Sequence, residues 1–256
     1  VSAIDTVTAG STVIYNGTGS YTTSLAAGNT YSNLTFNGVG GVWEPNGAVT
    51  VNSDLTITNG AFDIDGQNLT VTSAFSNEAG GTLRLTGGET TVSLTMDTNT
   101  GTVEYDGGAS YTGLKAGNTY NHLKLNGLGT WTLNAALDVN GNLDITAGTL
   151  SASANQINVG GNWTKSGTFT HGDNTVVFDG TNQTITVSST FYKFSKTEST
   201  NNATDVTLTF DNTATQTISN TLTLDGLDTD DRINLVSDSP GTKWELTANG
   251  TFAIDF

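Results

Sequence analysis

The chain has 256 residues, with 49 Thr, 31 Gly and 27 Asn, while Glu, Lys and Arg together number 14. Thr suits strands and Gly and Asn suit turns, so a mainly helical fold is excluded. The 24 acids against 8 bases give a net charge of −16, which argues against nucleic acid and anionic membranes as partners. No apolar run is long enough to span a bilayer, and with no Cys there is neither a disulfide framework nor a thiolate metal site.

The chain opens on Val1-Ser-Ala-Ile-Asp-Thr-Val-Thr8, which alternates like a strand. No basic-then-apolar leader is present at Val1, so any signal peptide is expected to have been removed already, and the polar, Thr-rich, Lys-poor composition predicts an extracellular chain. The next feature is an internal repeat. Ala27-Gly-Asn-Thr-Tyr-Ser-Asn-Leu-Thr-Phe-Asn-Gly38 recurs as Ala116-Gly-Asn-Thr-Tyr-Asn-His-Leu-Lys-Leu-Asn-Gly127. Trp43 then matches Trp131, Gly60 matches Gly148, and Phe75 matches Trp163. A third start appears where Thr12-Val-Ile-Tyr15 and Thr102-Val-Glu-Tyr105 are echoed by Thr175-Val-Val-Phe178. Three tandem units follow, at about 12–101, 102–174 and 175–256, within one domain over 1–256.

Inside the first unit, short alternating runs recur: Val49-Thr-Val51, Leu55-Thr-Ile57, Phe62-Asp-Ile64 and Leu69-Thr-Val71. Asn52-Ser-Asp54, Asn59-Gly60 and Asp65-Gly66 separate them. Alternation of apolar and polar residues gives each strand an inner and an outer face. Strands so short and closely spaced predict a right-handed parallel β-helix of about 20–22 residues per coil, about four coils per unit and about twelve in all. Small immunoglobulin-like sandwiches are the alternative, but no linker or composition shift marks a boundary.

The steps Val139-Asn-Gly-Asn-Leu-Asp-Ile145, Gly160-Gly-Asn-Trp-Thr164 and Phe210-Asp-Asn-Thr-Ala-Thr-Gln-Thr-Ile218 resemble the repeats of bacterial filamentous-haemagglutinin-like and autotransporter-type β-helix surface proteins. The resemblance lies in repeat style over nearly the whole chain. It implies a β-helix and an extracellular or cell-surface location, not one activity.

The chemistry-bearing residues are few. Of the two His, His122 stands where the first repeat has Asn33, and neither His122 nor His171 sits in a catalytic motif. Paired carboxylates are the serious enzymatic option, since glycoside hydrolysis needs two facing acids. Asp63 with Asp65 is one such pair, although Asp and Gly are expected in that turn for conformational reasons alone. Asp228, Asp230 and Asp231 beside Arg232 form the other, and would also be the place for Ca²⁺. No cofactor is required, and the expectation is a protein without enzymatic activity. A carbohydrate-binding or polysaccharide-degrading β-helix is the alternative.

Thr-x-Thr steps at Thr56/Thr58, Thr70/Thr72, Thr207/Thr209 and Thr221/Thr223 raise ice binding as a further reading, against the simpler use of Thr on solvated strands. Trp43, Trp131 and Trp163 recur with the framework and read as core, whereas Tyr31 and Tyr120 stand in polar turns. The closing Gly250-Thr-Phe-Ala-Ile-Asp-Phe256 is again strand-like. Exposed solenoid ends invite strand pairing, so Val1, Ile4, Phe252, Ile254 and Phe256 are candidates for self-association. The expected role is a secreted or surface-displayed structural or adhesive rod. Its partners would be other copies, surface proteins or glycans.

Overall fold

A computed structural model describes residues 6–198, 204–227 and 231–255. Among the described residues there are 28 strands and no helix. Every strand pairing is parallel, so the chain is a β-solenoid rather than a string of hairpin-built beads. Each circuit has three walls. Thr12–Tyr15 begins the first wall, Ser20–Tyr21 the second and Thr30–Tyr31 the third. The next circuit repeats the order, but Asn33–Trp43 bends round a corner. Its residues 33–36 pair with Thr12–Tyr15, and Val42 and Trp43 pair with Ser20 and Tyr21. Leu55–Asp63 and Phe75–Leu85 bend in the same way.

Alternation within each rung decides what lies inside. On the second wall one inward column runs Phe62, Leu83, Val103, Leu123, Leu143, Trp163, Ile185, Phe210, each paired with the next in register. All eight are buried and belong to one hydrophobic cluster running from Leu25 to Ile233. A single rung of three residues could not enclose such a core, so each coil depends on its neighbours.

Asn side chains hold the corners. Asn142 Oδ1 accepts the Asn162 N–H (2.9 Å), and Asn162 Oδ1 accepts the Thr184 N–H (2.8 Å). His122 Nδ1 accepts the Asn142 N–H (2.9 Å), as its repeat equivalent Asn33 does for Asp54. His122 therefore serves as a corner acceptor through Nδ1. Glycine is required where corners stack closely. Gly148 has φ +60°, and a Cβ there would lie 2.4 Å from the carbonyl oxygens of Gly127 and Gly129. Its repeat equivalent Gly60 meets the carbonyls of Gly38 and Gly41 at 2.5 Å.

The coil length expected from the sequence holds through the first two units: Leu55 pairs with Phe75, Thr82 with Thr102 and Leu143 with Trp163. Further on the coils lengthen. Val206 pairs with Ile233 and Thr221 with Thr251, because the walls grow from three residues to five, as in Val206–Phe210 and Ile233–Ser237. The chain therefore makes fewer turns than twelve.

The repeat is also not a whole number of coils. Between Thr12 and Thr102 the chain advances thirteen wall segments, counting the irregular passage at 94–98, and between Thr102 and Thr175 eleven. Equivalent segments thus land on the first, second and again the first wall. The first unit holds four coils and a third rather than four.

Candidate functional site

The charged residues gather on the outer face of the second wall. Asp63, Arg84, Glu104, Lys124 and Asp144 pair in register, one per coil, so that negative and positive charge alternate along the rod. Arg84 Nη1 lies 3.0 Å from Asp63 Oδ2, and its Nε lies 3.3 Å from Glu104 Oε1 and 3.6 Å from Asp106 Oδ2. Lys124 Nζ is 3.1 Å from Glu104 Oε2, and Asn126 Nδ2 donates to Glu104 Oε1 (3.1 Å). Asp65, at φ 44°, donates its N–H to Asp63 Oδ1 (3.0 Å).

More acid than base sits here, and burial acts on it. Desolvation raises the Asp63 carboxyl above its ordinary value despite the opposing Arg84 guanidinium. Asp106 is pushed up to about 6, first by burial and then by the charge on Asp63. Asp144 is raised by burial as well, against a hydrogen bond from Thr164. The ionic contacts around Arg84 fix its orientation and lock three carboxylates into the wall.

Of the carboxylates named from sequence, Asp63 enters this column while Asp65 supports it through its backbone. Sequence reasoning placed the charged centre instead at Asp228–Arg232. Asp228 and Asp230 lie outside the described residues. Asp231 is buried, and its Oδ1 accepts the Thr204 N–H (2.9 Å). Arg232 points away with a 59% exposed side chain, and its Nε reaches only to 3.9 Å from Asp205 Oδ1. Among the described residues, no group of three or more His, Cys, Asp or Glu is arranged to hold a metal ion. The register that assembles Asp63, Arg84 and Glu104 spans successive coils at intervals of 21 and 20 residues, a signal present in the sequence but readable only once coil phase is known.

The third wall is different in kind. Ser110, Thr130, Thr149 and Thr168 stack outward in register, and so do Thr112, Thr132, Ser151 and Thr170 beside them. Thr30, Thr50, Thr70 and Ser93 occupy the outward column of the same wall in earlier coils, and Thr190, Thr217 and Thr247 in later ones. The Thr pairs singled out from sequence are scattered instead: Thr56 pairs on the first wall, Thr70 on the third and Thr207 on the second.

The aromatic assignments divide. Trp43, Trp131 and Trp163 are buried core residues. Tyr31 and Tyr120 are not in open polar turns but fully buried. Tyr120 Oη donates to the Gly117 carbonyl (2.6 Å) and meets Tyr105 Oη at 3.2 Å, and Tyr105 Oη accepts the Ala116 N–H (2.9 Å). Tyr15, Tyr31, Ala27 and Gly28 repeat this lock in the first unit. Burial raises the Tyr105 and Tyr120 hydroxyls well above their ordinary values. Near the first coils, Ile14, Tyr15, Tyr21 and Trp43 line a hollow of about 290 Å³, in which Tyr21 stacks on Trp43 at 6.1 Å.

On the last described coil, Phe252 and Ile254 pair with Leu222 and Leu224 at inward-facing positions and are 55% and 43% exposed. Val1, Ile4 and Phe256 lie outside the described residues. No known protein family, curated protein or solved structure matches the chain.

Proposed function

We propose that the chain is an extracellular structural or adhesive rod without catalytic activity, displayed on a cell surface in the manner of filamentous-haemagglutinin-like or autotransporter-type proteins. The observation that supports this reading most is the parallel ladder that continues along the second wall over one shared core, which makes length and stiffness the fold's main product. Attachment to other copies uses the apolar pair Phe252 and Ile254, and the 44% exposed Tyr21 ring at the hollow near the first coils offers a stacking surface for a glycan. Antibody raised against the purified chain should label intact producing cells, and surface protease should remove the label. Labelling that appears only after the cells are permeabilised sinks the reading. Light scattering tests self-association: growth in particle size with concentration is expected, and its loss in Phe252→Asp assigns the contact.

One observation favours a second reading. Over the coils from Ser110 to Thr170 the third wall carries two adjacent, uncharged ranks of hydroxyls, spaced by about 4.8 Å between coils and about 7 Å along each strand. A regular two-dimensional array of this kind suits a lattice of ordered water, and hence ice. Thermal hysteresis in the presence of ice crystals is the measurement. A chain that leaves crystal growth unchanged excludes this reading and leaves the rod intact.

A further inference from the structure

Lys196 breaks the pattern of the core. It follows Val139, Val159 and Phe178 in one inward column of the first wall and precedes Leu224, and none of its surface is exposed. An isolated ammonium is strongly disfavoured in such a column. Its Nζ donates to the Gly180 carbonyl and, at 2.8 Å, to Gln183 Oε1. Among the described residues it makes no ion pair. Burial pulls its pKa down to about 8, with the charges of Glu198 and then Asp179 acting the other way.

Gln183 faces it from the second wall of the preceding coil and is 1% exposed. Both ends of the carboxamide are pinned. Nε2 donates to the carbonyls of Val159 and Gly161, each at 2.7 Å, and Oε1 accepts the Gly180 N–H at 3.1 Å. An amine with few means of keeping its charge is therefore held against an amide whose oxygen already carries a fixed donor.

We propose that Lys196 and Gln183 join in an intramolecular isopeptide bond that ties two successive coils together. The uncharged Nζ attacks Gln183 Cδ, and the carbonyl electron pair moves onto Oε1, where the Gly180 N–H stabilises it. As the pair returns, the Cδ–Nε2 bond breaks. One proton passes from Nζ to Nε2, which departs as ammonia and leaves a neutral Nζ–Cδ amide. The Glu198 carboxylate, 7% exposed, is the largest favourable charge acting on Lys196. No oxidant, metal or further reactant is needed. Rigid placement supplies the high effective concentration that uncatalysed transamidation lacks. The product also removes a buried charge from the core.

Intact mass spectrometry of the full chain, unfolded after purification, tests this directly. The expected mass is lower than that of the sequence by one ammonia. Tandem sequencing should find the segments containing residues 183 and 196 joined, with trypsin unable to cut after Lys196. Asn residues can also lose ammonia, so location of the link decides the matter. Lys196→Arg should restore the full mass. The proposal is overturned if the folded chain, incubated above the pKa of Lys196, keeps its full mass and its Lys196 acetylates freely once unfolded.

Discussion

Replacing Tyr105 by Phe removes one oxygen from the middle of a buried relay. Tyr120 spends its proton on the Gly117 carbonyl, so Tyr105 donates to Tyr120 and accepts from the Ala116 N–H. The substitution strands that N–H on a residue only 7% exposed. A buried donor left without a partner costs about 1–3 kcal/mol. In a solenoid this loss stays near its origin, because each coil interacts only with its neighbours. Amide hydrogen exchange is therefore a sharper assay than bulk unfolding. The Ala116 amide should exchange about 5- to 150-fold faster, the factor equivalent to that free energy. The Ala27 amide, held by Tyr15 in the first unit, serves as an internal control and should not change. Unaltered exchange at Ala116 refutes the relay. Equal acceleration at Ala27 refutes the claim that the damage is local.

Trp163→Ala opens a cavity between Leu143 and Ile185 and strands the Ser189 hydroxyl that its Nε1 contacts at 3.1 Å. A loss of about 3–5 kcal/mol is expected, read as a lower urea midpoint for the coils around residues 143–191 by exchange mass spectrometry. Gly148→Ala must combine positive φ with a clash against two carbonyls, so it should destabilise by about 1–3 kcal/mol, whereas Ala147→Gly next to it should cost less than about 1 kcal/mol. Asp106 carries a folded-state pKa of about 6 against an ordinary 3.8. Its folded form holds the proton more tightly than its unfolded form, so stability falls as pH rises from about 4 to about 6. Asp106→Asn should flatten that fall in a denaturant titration across this range. An unchanged pH slope would show that the Asp106 carboxyl is not desolvated.

The architecture was legible because alternation and repetition are both local signals. Val49–Val51 and Leu69–Val71 show period two within three residues, and the Ala27 and Ala116 segments align without gaps. What escaped was phase. The same repeated segment lies on the first wall at Thr12–Tyr15 and on the second at Thr102–Tyr105, and no residue type marks which wall comes next. The Asp63–Arg84–Glu104 column was hidden for that reason, since its members are neighbours only after winding. Tyr31 and Tyr120 misled because polar neighbours such as Asn29 and Asn118 suggested solvent, while the aromatic rings turned inward. Lys196 and Gln183 give no sequence signal at all: each is an ordinary polar residue in an alternating strand.

Thirteen segments and then eleven, neither divisible by three, mean that copying a stretch of this gene does not copy its bearing. A surface group written into the first unit and again into the second points about a third of a circle away from its twin. A flat partner can grip one such copy but not both, so duplication here multiplies directions rather than avidity. Ligands able to curl around the shaft would profit from the spread.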